Sequence, residues 1–230
     1  MKSFTELLEG VYDPNIFKAF FMAGGPGSGK SYAVQLGIGQ AQKGVKVTAQ
    51  GLKVVNSDDV FEKYLKDAQL NFKMDANQGK QRNVLRTRAK VVTKKKFDNY
   101  VEGRLGMVID GTGKDYSKIT TDASGLKQLG YDVHMVFINT SLDVALERNR
   151  NRPRTVPEKI TIDSWNKVQK NIGAFQRFFG NKNFVIVDNN EISDNVFDMV
   201  GKQVRRMLSK KVNNPIAQNW IDNQLELKQR

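Results

Sequence analysis

Phe20-Phe21-Met22-Ala23-Gly24-Gly25-Pro26-Gly27-Ser28-Gly29-Lys30-Ser31 is the stretch on which the reading of this chain turns. Gly24, Gly29, Lys30 and Ser31 satisfy the spacing G-x-x-x-x-G-K-S/T of a phosphate-binding loop. The setting agrees: the apolar run Phe17 to Ala23 precedes it, and a helix-compatible segment, Tyr32 to Gln42, follows. Glycines let the backbone bring its N–H groups close to an anion, and the helix beginning near Lys30 adds the partial positive charge of its N-terminus. Gly25, Gly27, Ser28, Gly29, Lys30, Ser31 and Tyr32 are therefore the expected nucleotide-binding residues. Lys30 would reach the β- and γ-phosphates of ATP as a mobile, catalytic point charge, and the Ser31 hydroxyl would be a ligand of Mg²⁺. The competing reading is a glycine-rich turn that binds nothing.

Composition bounds what surrounds this loop. A chain of 230 residues, 39% of them hydrophobic, fits one α/β domain with a substantial core. We place that domain at 1–211, with a lid at about 148–162, and a helical tail at 212–230. Zero Cys excludes disulfides and thiolate metal sites, and a lone His134 speaks against a histidine-rich metal site or a Ser/His triad. The N-terminal residues lack a signal-peptide core, and no apolar run approaches the roughly 18 residues of a membrane span, so a soluble cytoplasmic protein with no membrane partner is expected. The formal net charge of +13 makes nucleic acid the first partner to consider. Much of the excess crowds one helical pattern, from about Asp75 to Gly103, in Lys80, Arg82, Arg86, Arg88, Lys90, Lys94, Lys95 and Lys96. The alternative there is a solvated helix face.

Two apolar runs end in carboxylates. Leu52 to Asn56 leads into Ser57-Asp58-Asp59, followed by a helical pattern from Val60 to Leu70; Met107-Val108-Ile109 leads into Asp110-Gly111-Thr112. In doubly wound folds ligands gather at the carboxyl ends of the strands, so both acids would face the γ-phosphate region. Asp58 is the expected general base, accepting the proton of an attacking hydroxyl, and Asp59 an acceptor contact; Ser57, Asp58 or Asp59 could instead only cap the helix. Asp110 could accept a bond from Ser31, hold a Mg²⁺-bound water, fix a loop or orient the acceptor, with Thr112 beside it. His134 lies within a strand pattern, Tyr131 to Asn139, and reads as structural. Leu142 to Glu147 reads as a short helix running into Arg148-Asn149-Arg150-Asn151-Arg152-Pro153-Arg154-Thr155-Val156-Pro157. Alternate arginines in an extended loop suggest a lid: Arg150 and Arg154 on the γ-phosphate, Arg148 on the nucleotide. A solvated basic linker is the alternative. Ile162 to Phe179 reads as a packing helix, Phe184 to Val187 as the last strand, and Asp188-Asn189-Asn190 as an adenine border or a plain turn.

Taken together, Gly24 to Ser31, Asn56-Ser57-Asp58-Asp59, Val108-Ile109-Asp110-Gly111-Thr112, the arginine loop and Val187-Asp188-Asn189 resemble the P-loop kinases of the polynucleotide 5′-hydroxyl kinase and zeta toxin group, including phage-encoded relatives. The resemblance covers about residues 17 to 200. It implies a three-layer α/β fold with a mostly parallel five-stranded sheet, ATP and Mg²⁺ as cofactors, and phosphoryl transfer to a hydroxyl. By that resemblance Asp58 takes the place of the general base. Members commonly carry an arginine three residues after that acid, where this chain has Phe61; an acceptor phosphate would then need another cation, such as Arg82 or Arg86. The expected acceptor is a nucleic acid or nucleotide-like hydroxyl, first a polynucleotide 5′-hydroxyl or a hydroxymethylated base, next a nucleotide sugar. A nucleic-acid-binding ATPase without a phosphorylated product is the reading from another class.

Overall fold

Apolar runs covered on both faces make a parallel sheet the economical solution, and five strands assemble into one here. In the computed structural model, which describes residues 10–30, 32, 47–72, 79–151, 155–191 and 194–229, leaving aside the side chains of 194–197, these are β1 (Lys18–Ala23), β2 (Lys53–Val55), β3 (Met107–Asp110), β4 (Asp132–Asn139) and β5 (Phe184–Asp188). Their order is β2-β3-β1-β4-β5, and every pairing is parallel. All six residues of β1 are buried, as a central strand covered by two layers requires. The helices are α1 (Ser57–Asp67), α2 (Gly79–Glu102), α3 (Tyr116–Gln128), α4 (Leu142–Arg150), α5 (Glu158–Phe179), α6 (Asp194–Leu208) and α7 (Pro215–Gln229).

Alternation along the strands feeds two cores. Phe21 and Ala23 of β1, with Met107, Met135 and Phe137, pack against Ala123 of α3, Val168, Phe175 and Phe179 of α5 and Ala217 of α7. Phe20 and Met22 face the other way, with Val108, Val136 and Ile138, onto Val200, Val204 and Met207 of α6. The three-layer expectation holds. Helix α7 reads as a tail in the sequence, but Ala217 is fully buried and the Trp220 ring meets Phe17 edge-on at 5.6 Å, so it closes the first core. Helices α1 and α2 keep a small core of their own around Phe61, Leu65 and Ala89.

Several boundaries differ from the sequence reading. The opening helix expected from Phe4 falls mostly outside the described residues, and Gly10–Tyr12 form a single 3₁₀ turn. Helix α4 runs on to Arg150, three residues beyond the expected stop, because its C-terminal turn carries cations where the helix dipole favours them. Helix α5 begins at Glu158 rather than Ile162, directly after Pro157, whose φ of −51° suits the start of a helix. The stretch left between the two helices is 151–157, of which 152–154 lie outside the described residues. At one margin of the sheet, Val47 bridges antiparallel to Lys53 and covers β2. The outer side of β5 has no such cover among the described residues.

Candidate active site

Strand β1 sits where the strand order reverses, with β3 on one side and β4 on the other, which is where an open parallel sheet forms its crevice. The loop that follows β1 is fixed from three directions. The Gly24 N–H donates to the Thr112 carbonyl at 3.0 Å, and the Gly111 N–H to the Met22 carbonyl at 3.0 Å, so the ends of β1 and β3 are stitched together. Gly27, at φ 79°, lies so close to α4 that a Cβ there would stand 2.2 Å from the Ala145 carbonyl oxygen. Behind the loop, the Asn189 side-chain amide donates to the Ser28 carbonyl at 2.8 Å, and a Cβ on Gly29 would meet that same amide at 2.4 Å. Lys30 and Tyr32 are helical. Tyr32 is 40% exposed, while Ser28 is 1% exposed with its hydroxyl unpartnered among the described residues. A buried hydroxyl with no partner among the described residues, in a glycine-rich loop at the end of a strand, fits a ligand oxygen as its missing acceptor.

Sequence leaves Asn189 and Asn190 as an adenine border or a turn. Asn189 instead holds the phosphate loop, and the Asn190 side-chain oxygen accepts from the Ser141 N–H at 2.6 Å. Arg148 joins the same group, its guanidinium donating to the Asn189 carbonyl at 2.7 Å and the Asn190 carbonyl at 3.2 Å, beside Gly29. No sequence signal ranks Asn189 above its neighbours, since three polar residues after a strand look alike. Helix α5 seals the roof: Trp165 Nε1 donates to the Thr140 carbonyl at 2.9 Å, Gln169 to Asn139 at 2.7 Å, and Asn171 to the Gly113 carbonyl at 2.9 Å. Trp165, a core-packing residue by its helical spacing, lies with its Cα 3.7 Å from where a Cβ on Gly25 would be.

The acidic side of the crevice is built by α1. Its N-cap is Asn56, which accepts from the Asp58 N–H at 2.8 Å, so the cap lies one residue before the three considered from sequence. That leaves the Asp58 carboxylate outside the cap. The Asn56 amide also donates to Asp110 Oδ2 at 3.0 Å, joining the end of β2 to the end of β3; Asp110 in turn is the register partner of Met22. Asp58, Asn56, Asp110 and the start of the phosphate loop thus share one edge of the sheet. Asp58 Oδ1 takes a 2.6 Å ion pair from Arg86 of α2, with the two side chains 40% and 38% exposed. The Arg86 guanidinium stands 5.0 Å from the centre of the Phe61 ring. A guanidinium from another helix thus lies over Phe61, the position at which the resembled kinases carry an arginine.

The remaining candidates divide. Asp59 is half-buried in the first turn of α1, and Thr112 lends its carbonyl to the loop. Arg82 is 6% exposed and donates to the carbonyls of Asn71 and, at 3.3 Å, Phe72; it braces the α1–α2 connection. Arg150 is held by Glu158 at 2.6 Å in an exposed pair, which raises the guanidinium pKa and lowers that of the carboxyl. Ser31 and Arg154 lie outside the described residues. Asn149 clamps Val156 through both backbone groups, at 2.6 and 3.0 Å. Among the described residues no trio of His, Asp or Glu could hold a metal unaided. Asp110, a half-buried carboxylate beside the loop, is enough for Mg²⁺, which takes one or two protein oxygens and draws the rest from phosphate and water. His134 is 2% exposed and stacked on Phe20 at 4.8 Å, a structural residue as expected.

Comparison with known proteins agrees with this architecture. A family model described as zeta toxin matches residues 13–198. No curated relative matches the chain by sequence. Among solved structures, a gluconokinase from Sinorhizobium meliloti 1021 is similar at TM-score 0.51 and 13% identity, over 84% of this chain and 95% of that one. AvrRxo1-ORF1:-ORF2 with ATP is similar at TM-score 0.57 and 14% identity, over 86% and 65%. A chain of the Pnkp1/Rnl/Hen1 RNA repair complex is similar at TM-score 0.50 and 16% identity over 70% of this chain, which spans about half, 47%, of that longer one. The shared fold is that of the P-loop kinases.

Proposed function

The chain belongs to the zeta toxin family, and from that premise we propose that it is an ATP-dependent kinase that moves the γ-phosphate to a hydroxyl of a nucleic acid or nucleotide-like acceptor. The observation that carries the reading is the placement of Asp58: it stands on the first turn of α1, bound through Asn56 to Asp110 on the strand that flanks the phosphate loop. In the proposed step the acceptor oxygen attacks the γ-phosphorus, its proton passes to Asp58, the bond from the γ-phosphorus to the β,γ-bridging oxygen breaks, and ADP leaves. Mg²⁺, held by Asp110 and Ser31, would neutralise charge on the phosphate oxygens. Lys30 and the loop N–H groups hold the triphosphate, with Arg148 beside Gly29. The Arg150 guanidinium would exchange Glu158 for a phosphate oxygen, with Arg154, outside the described residues, as its companion.

Arg86 extends the proposal to the acceptor. A guanidinium beside the base, at the mouth of the crevice, suits an alcohol that carries its own phosphate, and the half-buried Tyr64 offers a face to a base or sugar. A polynucleotide 5′-hydroxyl is the first choice, because the +13 charge favours a polyanion. A nucleotide sugar is the second, favoured by the zeta toxin match. Incubation with γ-labelled ATP and a panel of 5′-hydroxyl oligonucleotides, hydroxymethylated DNA and UDP-linked sugars tests both. Label in one acceptor class names the substrate; label only in free phosphate supports the ATPase reading and removes the kinase one.

A further inference from the structure

The two margins of the sheet are finished differently. Beside β2 the chain doubles back, with Val47 bridged to Lys53 and the Thr48 N–H donating to the Leu52 carbonyl at 2.8 Å. Among the described residues strand β5 pairs with β4 alone. Its register fixes which groups are used: Met135 N–H donates to the Asn183 carbonyl at 2.8 Å, Asn189 N–H donates to the Asn139 carbonyl at 2.9 Å, and Phe184, Ile186 and Asp188 are the Cα partners of Met135, Phe137 and Asn139. In a parallel ladder the residues that flank each such partner turn both backbone groups inward. The odd-numbered residues 183 to 189 therefore face β4, and the N–H and C=O groups of Phe184, Ile186 and Asp188 point away from the sheet. Ile186 is 51% exposed there. Proteins usually blunt such an edge with proline, a bulge or a covering segment, and none occurs along β5 among the described residues.

Alongside this edge, between β5 and the C-terminal half of α6, runs a groove of about 490 Å³. Phe184 and Met207 supply apolar walls, and Lys182, Arg206 and Lys210 surround them with no carboxylate in the lining. The three cations are exposed and form no ion pair among the described residues. This combination, strand groups without partners among the described residues, apolar walls and a one-sign rim, lies outside the proposed phosphoryl-transfer site.

We infer that the outer edge of β5 is a docking site for an extended acidic segment of another protein, added as a sixth strand. Main-chain bonds to Phe184, Ile186 and Asp188 give such a strand its affinity, alternate apolar side chains enter the groove, and acidic ones meet Lys182, Arg206 and Lys210. Charge selects the occupant. A second copy of this chain would bring the same three cations against these three, so the rim that admits an acidic strand opposes edge-to-edge self-association. A nucleic acid would use the cations but leave the outward backbone groups and Ile186 without partners.

The test uses the full chain and a capped octapeptide of alternating Glu and Val, beside its Lys/Val counterpart and an eight-nucleotide single strand, with hydrogen exchange read at individual amides. The Glu/Val peptide should bind and slow exchange at Phe184 and Ile186. The same peptide N-methylated at alternate positions should not bind. The triple reversal Lys182→Glu, Arg206→Glu, Lys210→Glu changes exposed side chains only; it should weaken the Glu/Val peptide about tenfold and strengthen the Lys/Val one, with basal ATP turnover unchanged. Equal binding of both peptides, binding without protection at Phe184 and Ile186, no binding at millimolar peptide, or binding by the oligonucleotide alone would each overturn the inference.

Discussion

Asp58 and Arg86 form the ion pair on which the proposed acceptor chemistry rests, and they answer to different substitutions. Arg86→Ala removes a charge-assisted contact, so it should raise the KM of a phosphorylated acceptor roughly ten- to a hundredfold while leaving the KM of ATP within about twofold, checked by steady-state kinetics in both substrates. The opposite split, with ATP affected and the acceptor not, would move Arg86 to the nucleotide side. Among structural residues, His134 gives a pH signature. Burial drives its pKa from 6.5 to about 4, with Asp132 raising it and Lys18 and Lys210 lowering it. Below pH 6.5 the unfolded chain takes up a proton that the folded chain refuses. Stability should therefore fall as the pH drops from about 6.5 toward 4, by roughly 3 kcal/mol in total. Urea unfolding across that window should show a flatter profile for His134→Phe than for the native chain, and identical slopes would refute the assignment.

At the scale of elements, the phosphate loop is shaped as much by what packs behind it as by its own glycines. Asn189→Ala leaves the buried Ser28 carbonyl without its donor and opens space beside Gly29, so it should cost about 1–3 kcal/mol of stability and weaken nucleotide binding. Thermal unfolding with and without ATP separates the two effects, and an unchanged midpoint with unchanged nucleotide affinity would show the clamp to be idle. Much of this layer is legible in sequence. The Gly24–Ser31 spacing marks the loop, the apolar runs mark β1, β3 and β4, and acids after strands mark Asp58 and Asp110. Three features are not legible. Asn56 is hidden as a cap because Ser57, Asp58 and Asp59 are equally good caps by residue type. Arg86 and Arg82 sit four residues apart on one helix, yet only tertiary packing sends Arg86 to Asp58 and buries Arg82 against backbone carbonyls. The arginine connection reads as wholly extended when its prolines are weighted above the helix-favouring Leu142 to Arg150.

For the whole molecule, the charge excess and the sheet geometry make separable statements. Helix α2 presents Lys80, Arg88, Lys90, Lys94 and Lys95 to solvent, and Lys94 is engaged by Asp98 at 2.8 Å. If this face guides a polyanionic acceptor, Arg88→Glu with Lys95→Glu should lower the slope of log affinity against log salt by about 1 for every phosphate the face ceases to neutralise, at unchanged ATP affinity. An unaltered slope assigns the face to solvation alone. The parallel order β2-β3-β1-β4-β5 brings both acids and the phosphate loop to one edge, and this is foreseeable only as a class of fold. The finish of the sheet's margins is not, because Phe184 to Val187 reads as the last strand whether or not a neighbour covers it. Single-turnover transfer from γ-labelled ATP to a 5′-hydroxyl oligonucleotide, native chain against Asp58→Asn, tests the proposed role of Asp58 most directly. The expected result is labelled oligonucleotide from the native chain and a rate about 10² to 10⁴ lower for the variant at similar ATP affinity. Transfer at an equal rate by Asp58→Asn would contradict it.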